Sequence, residues 1–183
     1  MNEKSEFEKV VHDQSFRCLL SHEDIQKRTR ELGREITRDY RGTIPIIIGI
    51  LNGSFIFIAD LVRNIELDVE IDFLKISSYG DEKISSGDVQ MIKDINADLK
   101  GRDVLIVEDI VDTGLSVTFL KKHLSERQPA SIKFASLLFK KEVAKLDFNV
   151  DYVGFEIPND FVVGFGLDHK QILRNLPDIY VMD

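Results

Sequence analysis

Three carboxylates fall within five residues at Glu108, Asp109 and Asp112, and Thr113, Gly114, Leu115 and Ser116 follow at once. Acids this close repel one another and stay ionised near neutral pH only where cations or hydrogen-bond donors face them. Sugar hydroxyls and hard cations are natural partners, because carboxylates accept from hydroxyls and Mg2+ takes oxygen ligands. The residues behind the acids are mostly small or hydroxylated and include a glycine. At a helix N-terminus such a run offers unpaired N–H groups and the positive end of the helix dipole, a cradle for phosphate. The two halves together suit a sugar phosphate held with Mg2+. An acidic strand end running into an Asp helix cap is the plainer reading of Glu108 and Asp109 alone. It does not account for a strand, an acid pair, Asp-Thr-Gly and a helix in succession.

The elements that must position these groups are visible around them. Val104 to Val107 is a continuous apolar run, the pattern of a strand buried on both faces, and Leu115 to Glu126 reads as the helix after the cradle. Upstream, Ser21 with Glu23 and Asp24 starts a helix from about Glu23 to Tyr40, with Ile25, Leu32 and Ile36 at helical spacing. Ile44 to Leu51 is another buried strand, Asn52-Gly53-Ser54 a turn, and Phe55 to Arg63 a helix. Further strands are expected at Val69 to Ile76, Ile132 to Phe139, Tyr152 to Ile157, Phe161 to Phe165 and Ile179 to Met182. The first 20 residues read as an arm with a short strand, and Ser77 to Asp88 as a long polar loop, a kind that is often functional. Strand and helix alternate, which predicts an α/β fold with a mainly parallel sheet and ligands beyond the carboxyl ends of its strands.

Composition excludes several other functions. A chain of 183 residues is one domain, and 24 basic against 32 acidic residues give a net charge of -8, unsuited to gripping nucleic acid by bulk charge. The 18 uncharged residues from Gly42 to Ala59 approach the length of a membrane span, but Pro45 and Asn52-Gly53-Ser54 break the run into a strand, a loop and a helix start. The N-terminal MNEKSEFEKVVHDQ has no apolar core and is not expected to be a signal peptide. A single cysteine, Cys18, excludes an internal disulfide framework and a cysteine-built zinc site and fits a reducing, cytoplasmic setting. The four histidines lack metal-ligand spacing, Gly164-Phe165-Gly166 lacks the third glycine of a dinucleotide loop, and no G-x-S-x-G is present.

The stretch from Val104 to Ser116 resembles the phosphoribosyl-pyrophosphate signature of type I phosphoribosyltransferases. Other segments extend the resemblance from about Ile44 to Pro177. Leu51 to Phe55 with Ala59-Asp60-Leu61 resembles the family's pyrophosphate loop and the helix after it. Ser77 to Gly80 and Ser85 to Asp88 resemble the ends of its mobile loop. Ser136 to Lys140 resembles its base-recognising strand end. Asp151 to Pro158 and Phe161 to Asp168 resemble the purine hood of the hypoxanthine-guanine type, with Arg174 at the family's spacing.

The resemblance implies one domain over 1–183, with a hood lobe formed by the N-terminal arm and about 156–183. It implies a purine salvage enzyme that uses phosphoribosyl pyrophosphate, Mg2+ and a 6-oxopurine, forms a homodimer or homotetramer, and binds neither nucleic acid nor membrane. Asp112 would be the acid/base at purine N7. Glu108 and Asp109 would engage the ribose hydroxyls and a Mg2+, and Asp168 would be the ligand of a second Mg2+. Since neighbours on a regular strand point to opposite faces, Glu108 and Asp109 can serve one ligand only if the strand has broken into the loop. Thr113, Gly114, Ser116 and the backbone of Leu115 would cradle the 5′-phosphate. Amides at Asn52 and Gly53, after a cis peptide at Leu51–Asn52, would contact pyrophosphate, with Arg174 pairing to it. Ser78 and Tyr79 would ride the mobile loop. Lys140 would donate to the base O6, Phe161 would stack on the purine, and the main chain of Val162 would read its edge. Asn52 stands where some members carry a basic residue, and Asp160 where relatives commonly have lysine. Two other readings are an RNA-binding nucleotide sensor, which needs a basic face, and a phosphoacceptor receiver domain, which the 77–88 loop and Asp112-Thr113-Gly114 do not fit.

Overall fold

A computed structural model describes residues 16–78 and 89–182. Six strands form the main sheet: β2 (Ile46–Leu51), β3 (Glu70–Ser78), β4 (Val89–Lys93), β5 (Asp103–Val111), β6 (Ser131–Phe139) and β7 (Tyr152–Glu156). Their order is β4-β3-β2-β5-β6-β7; all neighbours are parallel except β4, which runs antiparallel to β3 at one edge. A second, antiparallel sheet joins β1 (Phe16–Leu20), β9 (Ile179–Met182) and β8 (Val162–Val163) in the order β1-β9-β8. This is the expected α/β architecture, with the arm and the C-terminal segment meeting in a small sheet of their own.

The helices are α1 (His22–Asp39), α2 (Phe55–Val62) and α3 (Leu115–Ser125). Ser21 caps α1 as its sequence suggests, its Oγ accepting from the Asp24 N–H at 3.2 Å, a contact of about 1 kcal/mol. The apolar stripe Ile25, Leu32 and Ile36 is fully buried, each side chain stabilising the fold by roughly 1.5–3 kcal/mol. With α2, α1 covers one face of the main sheet in a core that includes Ile47, Phe57, Leu61, Leu105 and Val107. The other face buries Ile46, Ile48, Val104 and Ile106 against Val117, Leu120 and Leu124 of α3. Burial on both faces is why β2 and β5 read as unbroken apolar runs.

Arg28 of α1 lies across the outer edge of the sheet. Its Nη2 donates to the Val153 carbonyl at 2.8 Å and its Nε to the Gly154 carbonyl at 3.2 Å. Glu31 and Glu35 hold its Nη1 at 3.1 and 2.9 Å.

Four elements differ from expectation. β3 runs on to Ser78, taking the first two residues of the expected 77–88 loop, whose remaining residues lie outside the described ones. β4 was not anticipated; it is a half-exposed edge strand without an apolar run. Of the segment 161–165 only Val162–Val163 is strand, because Gly164 turns the chain at a φ of 97°. β5 does not end before the acids but runs on to Val111, with Glu108 opposite Ser136 and Ile110 opposite Leu138.

Candidate active site

The cradle is built at the start of α3. Gly114, immediately before the helix, has a φ of 87°, and a Cβ there would lie 2.6 Å from Leu146 Cδ2, so glycine is required. The turn is tied down on both sides: the Lys145 N–H donates to the Thr113 carbonyl at 3.0 Å, and the Thr118 N–H to the Gly114 carbonyl at 3.0 Å. No acid occupies the first turn of α3 itself, which leaves its positive end facing the cavity. Glu108, Ile110, Asp112, Thr113, Gly114 and Ser116 line one cavity here, with Val111 and Val117. Leu115 is exposed and does not line this cavity, and its N–H reaches Thr113 Oγ1 at 3.5 Å.

Asp112 and Lys140 meet beside this cavity. Lys140 leaves the end of β6, where its N–H donates to the Val111 carbonyl at 3.0 Å. Its side chain is only 7% exposed, and its Nζ donates to Asp112 Oδ2 at 2.8 Å. A second bond runs from Nζ to Asn159 Oδ1 at 3.3 Å. The Asp112 carboxylate is 47% exposed and reaches the open side of the cavity.

Glu108 and Asp109 sit close enough to interact although their strand is continuous: each carboxyl shifts the ionisation of the other. Burial pushes Glu108 well above the usual carboxylate range, and the Asp109 charge adds to this. Burial raises Asp109 as well, opposed by N–H groups at Ile110 and at Asp109 itself, by Glu108 and by the Arg174 charge. The requirement that the strand break before these residues is therefore not met; the two side chains converge from within β5.

The Leu51–Asn52 peptide is cis. Gly53, next in the loop, lies against Asp109: a Cβ there would fall 1.7 Å from its Oδ2. Gly166 in turn lies on Gly53, with a φ of 100° and a position where a Cβ would fall 2.0 Å from the Gly53 carbonyl oxygen. Arg174 braces this contact. Its Nη1 donates to the Gly166 carbonyl at 2.8 Å and its Nη2 pairs with Asp168 Oδ1 at 2.6 Å. Asp168 Oδ2 also accepts from the Gln171 N–H at 2.8 Å. Phe161 is 48% exposed, unusual for so large an apolar ring, and meets His169 edge-on at 5.7 Å between centroids. Val162 follows in β8, an edge strand with one side of its backbone open.

The expected residues thus fall into adjoining groups: Asp112 with Lys140 and, across one cavity, Glu108; Asp109 with Gly53; Asp168 with Arg174. Asp168 does not join the Glu108–Asp109 pair, and among the described residues no three His, Cys, Asp or Glu side chains gather as a metal cage. Ser78 ends β3, and Tyr79 lies outside the described residues. Asn159, Ile110 and Gly166 were not singled out from sequence. Of these, Gly166 carried a signal, as the second glycine of the hood's G-x-G.

Residues 17–170 match the model of the phosphoribosyl transferase domain. A Bacillus subtilis protein named hypoxanthine-guanine phosphoribosyltransferase is 46% identical over 166 residues, 91% of this chain and 92% of its own. The chain belongs to the phosphoribosyltransferase family. Within it, an Aquifex aeolicus hypoxanthine-guanine phosphoribosyltransferase is 43% identical over 96% of this chain and 99% of its own. The crystal structure of a Bacillus anthracis hypoxanthine-guanine phosphoribosyltransferase superposes with a TM-score of 0.86 at 44% identity, covering 90% of this chain and 97% of that one. That of a Staphylococcus aureus hypoxanthine phosphoribosyltransferase gives 0.88 at 39% identity, covering 100% and 96%. Membership sets aside the receiver-domain reading. No helix of the described residues is long and apolar enough to cross a membrane.

Proposed function

We propose that this phosphoribosyltransferase transfers the 5-phosphoribosyl group of phosphoribosyl pyrophosphate to N9 of hypoxanthine or guanine, giving IMP or GMP and pyrophosphate. The pairing of Asp112 with Lys140 beside the α3 cradle carries the reading. As N9 attacks the sugar, a 6-oxopurine in its N7–H form presents an acceptor at O6 and a proton to be lost at N7 on the same edge. A buried ammonium and a half-exposed carboxylate 2.8 Å apart offer the complementary donor and proton acceptor. Adenine presents a donor at position 6 and would leave the ammonium unanswered.

The remaining groups follow from charge. The N–H groups at Thr113 to Ser116 suit the 5′-phosphate, and Phe161 offers a ring for the purine to stack on. Glu108 and Asp109 would hold the ribose hydroxyls and, as carboxylates, would stabilise positive charge developing on the sugar. Asn52 and Gly53 bring amides, and Arg174 a guanidinium, to the pyrophosphate side.

Mg2+ fits the donor set: oxygen ligands only, on a buried Glu108 and a half-buried Asp109 whose carboxyls repel one another. Glu108 and Asp109 would hold one ion and Asp168 would serve a second, with substrate oxygens completing the shells. Bound Mg2+ supplies neutralisation of the pyrophosphate charge. The reading includes a hood lobe built on β1, β8 and β9, a homodimer or homotetramer, and a cytoplasmic setting.

The test is an assay with phosphoribosyl pyrophosphate, Mg2+ and each purine separately. Conversion of hypoxanthine or guanine, with adenine inert, is expected. No product from any 6-oxopurine would sink the reading.

A further inference from the structure

Lys140 has more holding its amine than a base-recognising lysine needs from Asp112 alone. Its backbone is fixed: besides its own N–H bond to Val111, its carbonyl accepts from the Val143 and Ala144 N–H groups at 3.0 and 2.9 Å. Its side chain is a flexible four-carbon stem, and a point charge at its tip has no preferred direction. Two acceptors define that direction here, Asp112 Oδ2 at 2.8 Å and Asn159 Oδ1 at 3.3 Å. An ammonium has three N–H donors, so these two bonds leave one free.

The two acceptors come from different parts of the chain and differ in charge. Asp112 is on the β5–α3 turn. Asn159 lies between β7 and β8, two residues before the exposed Phe161. A bond from this segment to Lys140 therefore ties the amine to the segment that carries the stacking ring. Asn159 is also neutral: a second carboxylate would further offset the charge the base oxygen must meet, whereas an amide oxygen fixes the amine and leaves the charge in place.

We infer that Asn159 is a positioning residue for base recognition: it holds the Lys140 amine so that its remaining N–H points at the 6-oxo group of the purine. This rests on the proposed function of the site. Asn159 is itself exposed and makes no other hydrogen bond seen among the described residues, so its removal should act on base binding and not on the fold.

The experiment compares the wild-type protein with Asn159→Ala and Asn159→Asp, measuring KM for hypoxanthine, KM for phosphoribosyl pyrophosphate, kcat and Tm. Asn159→Ala should raise KM for hypoxanthine roughly tenfold, the scale of one hydrogen bond to a charged group, with the other three quantities nearly unchanged. Asn159→Asp restores an acceptor in the same place but adds an offsetting charge, and should recover only part of the hypoxanthine affinity. A second arm uses purine itself, which lacks the 6-oxo group, as a competitive inhibitor. Its inhibition constant should be the same for wild type and Asn159→Ala, because the effect runs through that oxygen. The inference is overturned by an unchanged KM for hypoxanthine in Asn159→Ala, by equal losses for both substrates, or by an equal loss for purine. If the wild type converts no 6-oxopurine, it is the proposed function that fails.

Discussion

Replacing Lys140 with Met separates recognition from stability. The thioether fills the channel occupied by the lysine stem, whose side chain is 93% removed from solvent by its 7% exposure, and deletes only the charged tip. Asp112 loses its partner, but its carboxylate is 47% exposed and rehydrates. Because the charge left behind is half in water, the stability cost is about 0–1 kcal/mol, and Tm should move by no more than a few degrees. Base recognition loses a charge-assisted hydrogen bond to O6, about 1.5–3 kcal/mol, equivalent to a roughly 10- to 150-fold fall in kcat/KM for hypoxanthine. The assay is steady-state IMP formation at saturating phosphoribosyl pyrophosphate, with thermal unfolding on the same samples. A fall of less than threefold, a matching rise in KM for phosphoribosyl pyrophosphate, or a loss accounted for by unfolding would refute the assignment of Lys140 to the base.

Three further outcomes are expected. Asp112→Asn, which keeps the shape but cannot take a proton, should lower kcat by about 10²–10⁴-fold in single-turnover measurements with the fold intact by circular dichroism. Gly166→Ala places a Cβ 2.0 Å from the Gly53 carbonyl at a φ of 100°; a loss of about 1–3 kcal/mol in urea unfolding and a raised KM for phosphoribosyl pyrophosphate should follow. Burial tends to raise Asp72, but N–H donors from Ala97, Phe73 and Asn96, with the Lys93 charge, bring it below the usual carboxylate range. Its contribution to stability is thus complete above the unfolded value of about 4 and is lost as pH falls through the lower folded value. Asp72→Asn should accordingly be less stable than wild type by about 1–3 kcal/mol at pH 7 in urea titrations, with the gap narrowing towards pH 2.

How much could be read beforehand depended on whether the signal was local. β2 and β5 are buried on both faces, so their apolar runs declare them. The Ser21 cap and the Ile25, Leu32, Ile36 stripe do the same for α1. β4 escaped because an edge strand pairs through its backbone, to which side-chain pattern is blind. The Phe161–Phe165 strand was overestimated because its apolar residues meet the core around a glycine turn instead of along a ladder. In the site, the acids, the cradle and Lys140 were legible because each sits at the end of a legible element. Asn159 was not, since an asparagine after proline is an ordinary loop residue until Lys140 is seen 3.3 Å away. The closeness of Glu108 and Asp109 within an unbroken strand was equally hidden, because period-two alternation sends neighbours apart.

The Arg28 bridge bears on how copies of this chain can associate. A sheet with a free edge is an open invitation to another sheet. On the β7 side the carbonyls of Val153 and Gly154 are already occupied by a guanidinium that Glu31 and Glu35 clamp in turn. A second copy arriving there would have to evict a charged group from a four-point anchorage before making its first backbone bond. Strand pairing at those two carbonyls therefore has to displace a charged side chain first, which disfavours that stretch of the β7 margin.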